Sequence, residues 1–434
     1  MRIAAAVVFA SFLAGASPGL TQDAPETDVA AFLRLRAEGV AAANADDLAT
    51  ASARLAEADA LIPNHPGLML MRARLAAGAG QPAEAMVLLR RYAATGLVAD
   101  PAADRTLSTL AGQPGFAEVA DALAANRASV GADRLAPLFA LAAPHLSEAV
   151  VRDAARNRWL VSQIADRTIV AVDDAGQVTP FLKAPPETGG VLGMAIDPGR
   201  GLLWAAIAPL PPAVHAAGAD AVLPKTALVR VALESGRIEA WFDPPAGPAE
   251  RALGDVLLAT NGEAYVSDSG GGEILVVRAD GGPMEVLLPA GTLRSPQGLA
   301  ATPDGAALIA ADYSSGLWRV DRTSGAARRL EAPANASLIG IDGLISDGRF
   351  LYGLQNGTAP QRVLKLTPDA GWTRIETVEV LAANLPQIDE PTTGLVHEGE
   401  LVFVSRSQWS DFDGEGALTT PEPAPALISR LRLD

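Results

Sequence analysis

The sequence predicts a mainly β chain, a six-bladed β-propeller preceded by a small α-helical module. Three observations carry this. A short phrase, usually containing glycine, recurs six times after residue 146 at steps that suit four-stranded blades. The residues before it are rich in Ala and Leu, with apolar positions three and four apart. From Ala128 onward, short Val, Leu and Ile runs alternate with Asp-Gly, Gly-Gly and Ser-Gly turns, as in antiparallel β structure.

Taken in order, residues 1–22 read as a secretory signal peptide: Met1-Arg2 is a small basic start, residues 3–13 are apolar, and Ala14-Gly15-Ala16 is a small-residue cleavage pattern. This implies a periplasmic or secreted protein. The apolar run is shorter than the roughly 20 residues a membrane span needs, and no later run replaces it, so no span is expected. With no cysteine, disulfides, thiolate metal sites and cysteine nucleophiles are excluded. A net charge of -16 argues against a nucleic-acid partner, which would require clustered Lys and Arg, and leaves many carboxylates for a hard cation.

Residues 25–127 form the expected helical module, with breaks at Pro63, Pro66, Gly80 and Pro101. The run Gly80-Gln81-Pro82-Ala83-Glu84-Ala85, followed by Leu88-Leu89, resembles part of a tetratricopeptide repeat. About two such units would not bury enough surface to stand alone, so the module should lie against the propeller or engage a protein partner.

Residues 134–434 form the expected propeller. Ala149, Gly193, Asp255, Gly298, Gly343 and Gly394 occupy equivalent places, at steps of 44, 62, 43, 45 and 51 residues. Residues 426–433 give the last strand of blade six, and residues 135–142 its outermost one, closing the ring and removing open edges. Direction alternates within a four-stranded blade, so the residues opening the innermost strands share one face with the turns between strands two and three. Glu148, Leu192, Gly254, Gln297, Asp342 and Thr393 should therefore ring one channel mouth, beside the turns at Asp268, at Asp312-Tyr313 and at Gln355-Asn356. Two long insertions, residues 209–225 and 407–425, fall on the same rim and suggest a partial lid carrying Trp409 and Phe412.

Ser295-Pro296-Gln297-Gly298-Leu299, Thr302-Pro303-Asp304-Gly305, Ile341-Asp342-Gly343-Leu344 and Gly254-Asp255-Val256 together resemble the SMP-30/gluconolactonase/LRE-like propeller family. The resemblance implies a divalent cation, most often calcium, at the channel mouth. By position its ligands would be Glu148, Gln297 and Asp342, with Asp342 also handling the proton or water during hydrolysis of a lactone or ester. The chain departs from the family pattern at two places. Gln297 is one methylene longer than the usual asparagine, and Gly254 has no side chain, so waters or the neighbouring Asp255, Asp268 or Asp312 would have to complete the shell.

Other signals are weaker. The four histidines have no zinc-like spacing, and there is neither a Gly-x-Ser-x-Gly elbow nor a phosphate-binding loop ending in Lys-Ser or Lys-Thr. Two functions remain: a metal-dependent lactone or ester hydrolase, or a non-catalytic propeller that binds a small molecule in its mouth or a protein through its helices.

Overall fold

The computed structural model describes residues 26–182, 185, 187–218, 221–248 and 250–433; the expected signal peptide lies outside them. Among the described residues no helix is long and apolar enough to cross a membrane.

The N-terminal part folds as α1 (Asp28–Asn44), α2 (Leu48–Leu61), α3 (Pro66–Gly78), α4 (Pro82–Ala94) and α5 (Phe116–Ala125). Local chemistry sets where they start. Thr27 and Asp47 side chains accept from the backbone N–H of Ala30 and Thr50, while Pro66 and Pro82 stand in the first turn, where a missing N–H costs nothing. His65, between α2 and α3, caps α3 through Nδ1 and stacks on Phe32; its burial lowers its pKa to about 4. Helices α1 and α2 pack together, as do α3 and α4, with α5 against α4.

The rest is six four-stranded antiparallel sheets. Their innermost strands are Ser147–Asp153, Gly190–Asp197, Leu253–Leu258, Pro296–Ala301, Ile341–Ser346 and Gly394–His397, and each touches the next around the ring. The ring closes as expected. Leu135–Leu141 pairs with Ala426–Arg432 as the outermost strand of blade six. Buried aliphatic side chains from adjacent blades fill the space between them, as with Val151, Leu160, Val191, Leu203 and Val229 between blades one and two.

The recurrent phrase has a steric cause. In blades one to five the pairing register slips just after the innermost strand begins, around Glu148-Ala149, Leu192-Gly193, Gly254-Asp255, Gln297-Gly298 and Asp342. Such bulges re-aim side chains at the point where neighbouring strands converge. A Cβ on Gly193 would meet the Gly254 carbonyl at 2.5 Å and Asp255 Cα at 2.6 Å, and one on Gly298 would lie 2.7 Å from the Asp342 carbonyl. Glycine recurs there because only its bare backbone fits.

The helical module lies on the propeller, one of the two outcomes its small size left open. Ile339, two residues before the innermost strand of blade five, is buried among Phe32, Leu35, Leu55, Ile62 and Leu68. Val29 joins the core formed with Tyr265, Ile274 and Leu299 of blades three and four.

Candidate functional site

The site grows out of those bulged strand openings. Glu148 from blade one, Asp255 from blade three, Asp342 from blade five and Glu390, on the loop leading into blade six, sense one another electrostatically. Each is partly exposed, yet loss of hydration is the largest influence on all four and raises their pKa values. Burial, then the charge of Asp342, pushes Asp255 up to about 8. Burial raises Asp342 to about 6 against the lowering pull of its Asn356 hydrogen bond. Glu390 is raised to about 7 by burial and then by Asp389 and Asp342. Glu148 lies well above the ordinary carboxyl range because of burial and then the charge of Asp342.

The two central carboxyls have different partners. Trp409 Nε1 donates to Glu148 Oε2 at 2.8 Å, and Asn356 Nδ2 donates to Asp342 Oδ2 at 2.8 Å. Asn356 also donates to the Pro391 carbonyl, and its Oδ1 accepts from the Tyr313 hydroxyl at 3.0 Å. Burial, then Asp342 and Glu390, holds that phenol far above its ordinary pKa, so it remains a neutral donor. Gln361 Oε1 accepts from the Glu390 backbone N–H, and Glu390 adopts a φ of 53°, the left-handed region that side-chain-bearing residues rarely occupy.

The two insertions expected to form a lid meet. Phe412 of the blade-six insertion joins a buried cluster with Ala213 of the blade-two insertion and Leu192 of the channel ring. A Cβ on Gly416 would lie 2.5 Å from Pro212 N, so the two loops touch backbone to backbone. Trp409 thus reaches Glu148 from a loop anchored in the buried core of blades one to three.

Two of the expected channel-mouth carboxylates do other work. Asp268 Oδ1 accepts from the N–H groups of Ala252 and Gly271, and Oδ2 from Arg251. Asp312 Oδ2 accepts from the N–H groups of Arg294 and Ser295, and Oδ1 from Ser314 and Ser315. Both are fully buried at the end of strand two and fasten the loop leading into their own blade, so neither is free to complete a cation shell. Gln297 Nε2 donates to Ser295 Oγ. Its Oε1 lies 3.8 Å from the position a Cβ on Gly254 would occupy, an ordinary contact distance.

For a divalent cation, the donor set has suitable chemistry, being all oxygen. Among the described residues no three Asp, Glu or His side chains are gathered for one ion, so a cation held by Glu148 and Asp342 would need the Gln297 amide or water to fill its shell. Residues missed in the sequence are Glu390 and Gln361; Tyr313 and Asn356 were expected beside the mouth, but their hydrogen-bonding role was not. Glu390 had one legible signal, its place just ahead of Pro391-Thr392-Thr393, where a blade opens.

Comparisons with known proteins follow the fold. Among solved structures the chain is similar to a gluconolactonase from Xanthomonas campestris, at 16% identity and a TM-score of 0.47 over 70% of this chain and 91% of that one. It is also similar to a calcium-binding protein, regucalcin, from Agrobacterium tumefaciens, at 17% and 0.45 over 68% and 95%. A third is the PQQ-bound aldose sugar dehydrogenase from Streptomyces coelicolor, at 15% and 0.47 over 68% and 97%. No protein-family model matches the chain, and no curated protein does. Proteins this diverse carry no chemistry across at such identities, and the six blades rest on the sheets described above.

Proposed function

We propose that the channel mouth hydrolyses a neutral lactone or ester, with Asp342 as general base and Glu148 as general acid. The observation that carries this is the pair itself: two carboxyls from blades one and five share one mouth, have different hydrogen-bond partners, and are both raised above the ordinary carboxyl range by burial. At about 6, Asp342 is largely ionised near neutral pH, while burial and the charge of Asp342 favour the protonated form of Glu148.

With Oδ2 engaged by Asn356, Asp342 Oδ1 takes a proton from water as that water attacks the acyl carbon. The acyl C–O bond breaks, and Glu148, whose Oε2 is engaged by Trp409, delivers the proton of Oε1 to the departing alkoxide. The proton on Asp342 then resets Glu148, and the product is a hydroxy acid or an acid and an alcohol. Since no lysine or arginine is among the main influences on these carboxyls, the mouth suits an uncharged substrate and repels the carboxylate produced.

The test is a panel of neutral lactones and esters assayed with chelator and with calcium, manganese or zinc. Turnover in chelator, lost by about a hundredfold or more in Asp342→Asn, is expected. Turnover that needs added cation would show the carboxylates rearranging around an ion, as the resemblance implied, and would overturn the metal-free step. One observation favours binding without catalysis: four of the six ring positions carry Leu192, Gly254, Gln297 and Thr393, which have no charge. Saturable ligand binding without hydrolysis of any substrate would favour that reading.

A further inference from the structure

We infer that the helical module sets the position of Asp342, and that Arg362 is the positioning residue through which it acts. The inference rests on the proposed role of Asp342, and its structural half can be tested without that role.

Asp342 lies between two segments, and the module grips both. The first is the loop leading into its strand. Asn64, between α2 and α3, donates through Nδ2 to the carbonyls of Pro333, Ala334 and Ala336, while Ile339 is buried in the helical core. Asn64 is itself oriented by Arg91, whose Nε donates to Oδ1 and whose guanidinium is paired with the buried Asp59.

The second segment is the turn that carries Asn356. Arg362 is 3% exposed and donates from Nη1 to the carbonyl of Thr95, the residue that ends α4. A buried guanidinium is well placed there, because the last carbonyls of a helix lack internal partners and carry partial negative charge. Its Nε donates to Gln355 Oε1 at 2.8 Å, and Gln355 Nε2 donates to the carbonyls of Ser337 and Ile339 at 3.0 and 2.7 Å. One fully buried amide therefore ties the turn to the loop ahead of Asp342, while its neighbour Asn356 holds the carboxylate.

Comparison between blades explains why an arginine is required. Gln355 stands where blades three and four have Asp268 and Asp312, at the end of strand two. Those carboxylates fasten their lead-in loops by accepting from backbone N–H groups. In blade five the loop presents carbonyls instead, so the clamp must donate, and the amide oxygen left over needs a buried donor of its own. Arg362 supplies it, and α4 supplies the carbonyl that keeps Arg362 in place.

The experiment uses the full chain carrying Arg362→Met and, separately, Gln355→Met, which cuts the same path one link nearer Asp342 and serves if the first variant fails to fold. The Asn356 side-chain amide resonance, assigned by its loss in Asn356→Ala, reports the bond to Asp342 whether or not a substrate is known. In both folded variants that resonance is expected to move toward a solvent-exposed amide. With a hydrolysed lactone in hand, kcat should fall about tenfold with KM within twofold. An unmoved amide resonance in a folded variant overturns the inference. A shifted resonance in a protein that hydrolyses nothing upholds the positioning and removes the proposed reaction.

Discussion

At the scale of single residues, the account turns on carboxyls that hold protons more tightly folded than unfolded. Asp342, Glu390 and Asp255, at about 6, 7 and 8, keep protons that an unfolded chain would release near pH 4. The stability this adds is complete below about pH 4 and is lost as pH rises through the 6 to 8 range. Thermal unfolding should therefore occur at a lower temperature at pH 8.5 than at pH 5. Asp255→Asn, which removes the charge and keeps the shape, should narrow that gap, and an unchanged gap would mean that Asp255 is hydrated in the fold. Glu148 and Asp342 were legible because the blade repeat places them at strand openings. Glu390 had only its place ahead of a blade opening to mark it, because it lies outside the repeating phrase and depends on an unusual backbone angle that the sequence does not announce.

At the scale of elements, the innermost strands are held at contact distance by missing side chains. Gly298→Ala would press a methyl group onto the backbone of Asp342 and Leu344, neither of which can yield without moving the site. The cost is expected to be about 2 to 3 kcal/mol, read from the urea midpoint at constant slope. A loss below about 0.5 kcal/mol would show that the strands have slack. Blade spacing, ring closure and the two meeting insertions could all be read from the chain, since they follow from strand length and alternation. The roles of Asp268 and Asp312 could not. A carboxylate at a turn looks the same in sequence whether it faces a ligand or caps its own backbone, and only the N–H groups of Ala252, Arg294 and Ser295 decide between them.

At the scale of the whole molecule, helices and propeller share cores instead of meeting at a wet boundary. Ile339 is inserted among α1, α2 and α3, Val29 lies in the core of blades three and four, and Val130 bridges to Ala383 of blade five. Calorimetry should accordingly show one cooperative transition for the chain, whereas two separated transitions would mean that the module is an independent attachment. The sequence pointed to this docking through the module's small size alone, and the partners on the propeller emerged only from the fold.

The central claim is that Glu148 and Asp342, nearly two hundred residues apart, occupy one electrostatic environment. Carboxyl-carbon NMR titration of the full chain, repeated with Asp342→Asn, tests it most directly. The account expects Glu148 to titrate well above the ordinary range and to fall toward it when its neighbour's charge is removed. A Glu148 that titrates near 4 in both proteins would contradict it.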